Sequence, residues 1–149
     1  MIEPSLGTKD FKIGDLITSL EQVTFKIMSV EQRGDLEVLK SKELWLFVNI
    51  ITRELVQITF FPPSNEVTIK NIGFQTTKEN VELLLGKGAF NDGVFEPFSI
   101  LGISFEYNKN EDDVNAQVSA ISVYSPYPKL TNIPKHIKKN LARKIRLPK

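Results

Sequence analysis

A motif of threonine, glutamate and valine occurs twice in this chain, and it constrains the fold more than any other feature. The motif T-x-x-E-x-V begins at Thr18 and again at Thr76, 58 positions later. A threonine followed three residues later by glutamate is typical of a capping box, which satisfies backbone N–H groups at the start of a helix. Apolar residues then recur at helical spacing. Each copy therefore predicts a short helix, and Gly86 or Gly88 can end the second one.

Two runs rich in β-branched and aromatic residues follow each predicted helix. They cover residues 44–49 and 55–63 in the first half, and 101–108 and 118–126 in the second half. Such runs favour strands, and the short polar segments between them favour hairpins. The stretch PPSN at 62–65 separates the halves. Each half thus predicts a strand, a helix and then a hairpin.

These elements together predict an α+β fold. We expect one domain over residues 1–128, made of two similar halves at about 9–63 and 66–128, and a basic C-terminal helix or tail over 129–149. The domain should contain a mainly antiparallel sheet of about six strands and two short repeat helices. One half alone would leave an apolar sheet face partly uncovered, so two halves can share a core. An internal duplication is one hypothesis, and chance similarity is the other.

The second copy resembles a recurrent bacterial pattern of small helix-plus-sheet domains. Its matching residues are Gly73, Thr76, Val81, Leu85 and Gly86, with a fainter echo in Gly14, Thr18 and Val23. This pattern is similar to the tandem domains of the beta-lactamase inhibitor protein and of small outer-membrane assembly lipoproteins. The chain also looks like small, cysteine-free bacterial immunity proteins. These resemblances imply a non-enzymatic protein that binds another protein, often as an inhibitor.

Composition limits the cellular compartments expected for the protein and the chemistry that its side chains can carry out. The chain of 149 residues has no cysteine, which excludes disulfides, thiolate nucleophiles and thiolate zinc sites. No apolar run is long enough to span a bilayer. The N-terminal residues lack a basic region followed by an apolar one, so we expect no secretory signal. A reducing cytoplasm is the expected location.

No residue pattern indicates a reaction. The single histidine, His136, stands among lysines and is more typical of a solvated surface. The stretch GKGAFNDG at 86–93 lacks the spacing of a phosphate-binding loop and indicates a helix end that runs into a turn. The acidic residues Glu111, Asp112 and Asp113 lack the spacing of a calcium loop. We therefore predict no catalytic residue, metal or cofactor.

Charge is divided unevenly along the chain. All 18 acidic residues precede Lys129, whereas eight of the 19 basic residues lie from Lys129 onward. Ile137, Leu141 and Ile145 form one stripe of a predicted amphipathic helix in this tail. The tail can dock on the acidic body, bind nucleic-acid phosphates, or bind a membrane surface or an acidic partner protein. The residues available for phosphate or acidic-partner binding are Lys138, Lys139, Arg143, Lys144 and Arg146.

Aromatic residues on the predicted strands indicate a protein interface. Most belong in a core, but Trp45, Tyr124 and Tyr127 are of types that tolerate half-burial and are candidates for contact with a partner. The acidic loop at Glu111, Asp112 and Asp113 can extend that surface. We therefore expect an inhibitor- or immunity-type protein that covers a partner such as a basic toxin. The alternative is a nucleic-acid-associated protein that uses its tail. The sequence does not decide whether two copies form a homodimer by pairing exposed edge strands.

Overall fold

The fold is built on one eight-stranded antiparallel sheet. The computed structural model describes residues 1–19, 23, 26–108 and 114–126. The strands are β1 (Ser29–Arg33), β2 (Leu36–Lys40), β3 (Leu44–Asn49), β4 (Leu55–Phe60), β5 (Gly88–Asn91), β6 (Val94–Pro97), β7 (Ile103–Tyr107) and β8 (Val118–Tyr124). A 3₁₀ turn at Ile69–Asn71 and one α-helix, α1 (Lys78–Leu85), lie between β4 and β5.

The strand order shows how the two halves of the chain meet. The order is β1-β2-β3-β4-β8-β7-β6-β5, so each half contributes four consecutive strands that pair with their neighbours in sequence. The two four-stranded units join where β4 pairs with β8 in antiparallel register, with Ile58 opposite Val123. A single sheet therefore runs through both halves. Whether the halves arose by duplication stays a prediction.

The predicted α+β fold class is wrong. The sheet has eight strands rather than about six, and α1 is the one α-helix among the residues that the structure describes. The described residues next to the first motif, 16–19, 23 and 26–28, are not helical. The predicted C-terminal helix lies outside the described residues. Most of the described secondary structure is strand, because two further hairpins, β1–β2 and β5–β6, form from residues that the prediction did not assign to strands.

Turn chemistry explains both extra hairpins. Asp92 and Gly93 connect β5 to β6 with φ values of 52° and 80°, and a two-residue turn of type I′ needs positive φ at both positions. Gly34 opens the turn between β1 and β2 with φ 59°, a position that favours glycine in a type II′ turn. Asp92-Gly93 is a recognised hairpin pattern. The prediction of a helix end that runs into a turn is correct for 86–93, but it did not include the strands on either side of the turn.

The four strand runs that the sequence indicated are confirmed as the hairpins β3–β4 and β7–β8. The second motif does form a helix, but its cap is shifted by one residue. Thr77 is the N-cap, and its Oγ1 accepts a hydrogen bond from the backbone N–H of Asn80 at 3.3 Å. Thr76 Oγ1 instead accepts from the N–H of Gly73 at 3.0 Å, which fixes the approach to the helix. Gly86 ends the helix, as predicted, with φ 83°.

One side of the sheet, which we call the inner face, carries the core. Its side chains form rows that cross from one half to the other, because residues directly opposite on paired strands share a face. One row consists of Leu39, Leu46, Ile58, Val123 and Ile103, all at most 1% exposed. A second row consists of Leu44, Phe60, Ile121, Phe105, Phe95 and Phe90.

The N-terminal segment and α1 cover the inner face. Ile2, Phe11 and Ile17 from the segment join the same buried cluster as Val81 and Leu85 from α1. Val81 and Leu85 are one helical turn apart, so they share the side of α1 that faces the sheet. The resulting architecture has two layers, with a sheet on one side and irregular chain plus one helix on the other.

Gly7 lets the N-terminal segment lie directly on the sheet. Its φ is 109°, and a Cβ there would stand 2.4 Å from the carbonyl oxygen of Phe11 and 3.0 Å from Cδ1 of Ile58. Gly14 has a similar φ of 97°, but a Cβ there would meet nothing within 4 Å. Substitutions at Gly7 and Gly14 therefore distinguish the cost of backbone strain alone from the cost of strain plus a steric clash.

We predict that Gly7→Ala is clearly more destabilising than Gly14→Ala. Gly14→Ala should lower the free energy of unfolding by about 1–2 kcal/mol, the cost of a left-handed conformation for a residue with a Cβ. Gly7→Ala adds an overpacking cost of about 1–3 kcal/mol. Urea denaturation of both variants measures the difference, and equal losses would show that the N-terminal segment does not pack on Ile58 as described.

Candidate functional site: the outer face of the sheet

The side of the sheet opposite to the core brings together residues from both halves. Lys40, Trp45, Thr59, Ser122 and Ser104 lie opposite one another on successive strands. The next row consists of Val38, Phe47, Gln57 and Tyr124. We call this side the outer face and define it by these two rows. Its chemistry differs from that of the inner face, because polar and aromatic side chains alternate with few aliphatic ones.

The structure places Trp45 and Tyr124, two predicted interface residues, on this one face. Trp45 lies on β3 and Tyr124 on β8, and β4 is the single strand between them. Neighbouring strands are about 4.8 Å apart, so two strand spacings separate the two residues by roughly 10 Å across the sheet. Both residues are half-buried.

Trp45 is the centre of an aromatic and cationic cluster. Its ring centroid lies 4.9 Å from that of Phe61 and 6.4 Å from that of Phe47. The Nζ of Lys40 lies 4.4 Å from the ring centroid and the Cζ of Arg33 lies 5.5 Å from it. Cations at these distances are attracted to the π-system of the indole. The ring is therefore held in place from several sides although it is only half-buried.

Glu31 connects the two cations. Its Oε2 forms an ion pair with the Nζ of Lys40 and another with Nη2 of Arg33, the second at 3.1 Å. The hydrogen bond from Lys40 holds the pKa of the Glu31 carboxyl below its usual value, and the hydrogen bond from Arg33 acts in the same direction. Sequence reasoning missed these three residues because it did not recognise the β1–β2 hairpin. The Gly34 turn pairs β1 with β2, and the pairing of β2 with β3 places Lys40 opposite Trp45.

The centre of the outer face has small polar side chains whose hydrogen bonds are made within the sheet. The hydroxyl groups of Thr59 and Ser122 lie 2.8 Å apart, and Nε2 of Gln57 donates to Thr59 Oγ1 at 3.0 Å. Thr59, Ser122, Ser104 and the neighbouring Ala120 are all less than 9% exposed.

Tyr124 ends β8 and lies opposite Gln57, in the row next to Thr59 and Ser122. Its hydroxyl donates a long hydrogen bond of 3.5 Å to the carbonyl oxygen of Ile103. Burial raises the pKa of Tyr124, and the nearby carboxylate of Glu96 raises it further. The phenol therefore remains protonated at neutral pH and acts as a hydrogen-bond donor.

The other predicted site residues lie outside the described residues. They are Tyr127, the acidic residues Glu111, Asp112 and Asp113, and the tail residues Lys138, Lys139, Arg143, Lys144 and Arg146. Their proposed roles stay predictions.

A groove of about 1080 Å³ lies beside α1, away from the outer face. Leu83, Leu84 and several side-chain amides line it, and Glu66 is the one ionisable residue among its described lining. A single carboxylate without a neighbouring base gives no arrangement for acid–base catalysis. In the described part of the chain, no group of three or more His, Cys, Asp or Glu side chains is arranged to hold a metal ion.

Comparison with known proteins does not assign the chain to a family. No protein-family model, curated protein or solved structure matches the chain. Among the helices of the described residues, none has the length and apolar character needed to cross a membrane. The resemblance to inhibitor domains and immunity proteins therefore stays a prediction.

We predict that the ion pairs of Glu31 contribute a pH-dependent part of the stability. Because the folded pKa lies below the unfolded value of about 4.5, this contribution is present above that pH and is lost as the pH falls through the folded pKa. Glu31→Gln should therefore be less stable than the wild type at pH 7, and the difference should shrink below about pH 4.5.

Urea denaturation of both proteins from pH 7 to pH 3 measures this difference. Repeating the pH 7 experiment in 1 M NaCl is the control, since salt screens exposed ion pairs. A difference that does not change with pH or salt would contradict an electrostatic role for Glu31.

Proposed function

We propose that this chain is a non-enzymatic protein-binding module that covers a partner protein with its outer face, in the manner of a small inhibitor or immunity protein. The observation that carries the proposal is Trp45, which is half-buried yet fixed between Phe61, Lys40 and Arg33. Residues that dominate binding energy at protein interfaces are most often Trp, Tyr and Arg. The outer face presents Trp45 and Tyr124, and Arg33 lies against the Trp45 ring.

The rigidity of the cluster supports this role. Association costs free energy for every side chain that must be ordered at the interface. Trp45 already has its ring held by neighbours, so little conformational entropy remains to be lost when a partner packs on it. The hydroxyl groups of Thr59 and Ser122 already bond each other. Both hydroxyl groups are already buried and paired, so a partner that binds beside them takes no free polar group out of water.

The net charge of the body favours a basic partner. Residues 1–128 contain all 18 acidic residues and 11 of the 19 basic residues, a net charge of −7. A surplus of one sign attracts partners of the opposite sign and accelerates their encounter. A basic toxin that attacks nucleic acids is one partner of this kind, and a cytoplasmic location agrees with the absence of cysteine.

The cation cluster argues against the use of Trp45 as a platform for nucleic-acid bases. Binding of a nucleic acid to an aromatic ring benefits from free positive charge nearby, which attracts the phosphates. Lys40 and Arg33 approach the Trp45 ring themselves, and Glu31 offsets their charge. The alternative function, phosphate binding by the basic tail, therefore depends on Lys138, Lys139, Arg143, Lys144 and Arg146 alone.

We predict that Trp45→Ala abolishes capture of a partner protein. Tagged wild-type protein should retain one stoichiometric protein from the native cell after nuclease treatment. Loss of a central tryptophan at an interface costs 2 kcal/mol or more, roughly a 30-fold or larger loss of affinity. Leu83→Ala is the matched control, because Leu83 is a large apolar residue that is 75% exposed on α1.

Two results would contradict the proposal. Retention of the partner by Trp45→Ala would show that the outer face is not the interface. Recovery of nucleic acid, or of partners that nuclease treatment removes, would favour the tail as the functional element.

A further inference from the structure

We infer that β1, an edge strand of the sheet, pairs antiparallel with β1 of a second copy of this chain, with Val30 opposite Val30. The two eight-stranded sheets would then form one continuous sheet with twofold symmetry. The contact joins strand edges and needs no other protein. It is therefore separate from the binding proposed for the outer face.

The strand order leaves β1 and β5 at the two edges of the sheet. β1 is open to solvent, because four of its five residues are exposed and Val30 is 50% exposed. Three of the four residues of β5 are instead half-buried. Within the described part of the chain, β2 is the one strand that pairs with β1. An exposed edge that carries an apolar side chain is a template for a further strand.

The hairpin geometry of β1 and β2 identifies the free backbone groups. Arg33 and Leu36 flank the two-residue turn and face each other, so they exchange hydrogen bonds. Hydrogen-bonded pairs alternate with non-hydrogen-bonded pairs along antiparallel strands, so Glu31 also bonds to β2. Val30 and Gln32 therefore direct their N–H and C=O groups away from β2, toward the open edge.

The charged side chains of β1 are turned away from this edge. Glu31 Oε2 forms an ion pair with the Nζ of Lys40 on β2. The Cζ of Arg33 lies 5.5 Å from the ring centroid of Trp45 on β3. Both side chains therefore lie over the sheet. Natural sheets prevent edge pairing with charged groups at the edge, and here those groups leave the middle of β1 accessible to a second strand.

Two of the three registers that join the free residues are unfavourable. Gln32 opposite Gln32 of the second copy would leave Val30 opposite the turn at Gly34, with its side chain still exposed. Gln32 opposite Val30 would place Glu31 directly opposite Glu31, and like charges in that position are destabilising. Neither register therefore both buries Val30 and avoids charge repulsion.

The third register, with Val30 opposite Val30, satisfies both requirements. Two apolar side chains meet at the twofold axis, where each covers the other. Ser29 then lies opposite Glu31 of the second copy, and its hydroxyl group can donate a hydrogen bond to that carboxylate. Twofold symmetry forms this contact twice. The sequence of β1 thus complements itself, which favours a second copy over an unrelated strand.

The dimer would present the candidate site twice. Pairing about an axis perpendicular to the sheet places the outer faces of both copies on the same side. Five strand spacings separate β3 of one copy from β3 of the other, so the two Trp45 side chains would lie roughly 24 Å apart. A partner with two matching sites would bind both and gain avidity. This consequence rests on the proposed function, whereas the pairing of β1 does not.

Disulfide cross-linking tests the contact and its register. The chain has no cysteine, so Val30→Cys gives one thiol per copy. Residues that face each other in a hydrogen-bonded pair have Cα atoms about 5.5 Å apart, a separation that a disulfide spans. We expect mild oxidation of the full-length chain to form a covalent dimer at least about tenfold faster in Val30→Cys than in the matched control. That control is Ile51→Cys, because Ile51 is 68% exposed in the turn between β3 and β4.

Gln32→Cys distinguishes the registers. With Val30 on the twofold axis, Gln32 lies four residues along the strand from its own copy, a separation of about 13 Å. A disulfide does not span that distance. We therefore expect Gln32→Cys to cross-link no faster than Ile51→Cys.

Sedimentation equilibrium of the full-length chain measures the association without a cross-link. We expect a weak, reversible dimer, because a contact between two short strands is small and small interfaces are weak. Val30→Lys should weaken the dimer about tenfold or more, since it places like charges directly opposite each other. Ile51→Lys is the matched control and should leave the dimer unchanged. Urea denaturation should show that both variants keep the stability of the wild type, because both residues are at least half exposed.

The opposite results overturn the inference. A wild-type chain that stays monomeric at roughly 1 mM, where even a millimolar dissociation constant is detected, does not pair through β1. A dimer that Val30→Lys leaves intact uses another surface, and cross-linking of Gln32→Cys as fast as Val30→Cys contradicts the register. No partner protein is present in these experiments. Their failure leaves the Trp45→Ala test of the proposed function intact, and failure of that test leaves these intact.

Discussion

The pairing of β4 with β8 is the contact on which the rest of the structure depends. Each half of the chain supplies a four-stranded unit, and such a unit has one apolar face and two edges. Pairing of β4 with β8 removes one exposed edge from each unit. This matters because an exposed edge invites pairing with other chains. It also makes the rows on both faces continuous, so that Ile58 meets Val123 on the inner face and Thr59 meets Ser122 on the outer face.

The two faces of this sheet have different roles. The inner face buries aliphatic and aromatic rows beneath the N-terminal segment and α1, and this burial supplies the main driving force for folding. The outer face keeps Trp45 and Tyr124 half-buried, and two cations and Phe61 support the Trp45 ring. A protein can present such a surface without aggregation when charged groups interrupt the apolar area. Lys40, Arg33 and Glu31 have that effect around Trp45.

Both the fold and the candidate site were only partly predictable from the sequence. Residues with β-branched and aromatic side chains indicated β3, β4, β7 and β8, because local propensity and alternation agree there. The strands β1, β2, β5 and β6 are short or polar, and their hairpins depend on Gly34 and on Asp92-Gly93 rather than on hydrophobic pattern. The first motif suggested a helix that the described residues do not show. A capping pattern alone does not fix a helix when packing favours another conformation.

The sequence by itself determined the strand-forming runs, the helix at α1 with its glycine stop, and the separation of an acidic body from a basic tail. These properties depend on local chemistry and on charge. Tertiary structure alone decided that Trp45 and Tyr124 share a face, that Lys40 and Arg33 approach the indole, and that Glu31 joins them. Such contacts depend on strand order and register, and a shift of one residue in register would move every one of these side chains to the opposite face.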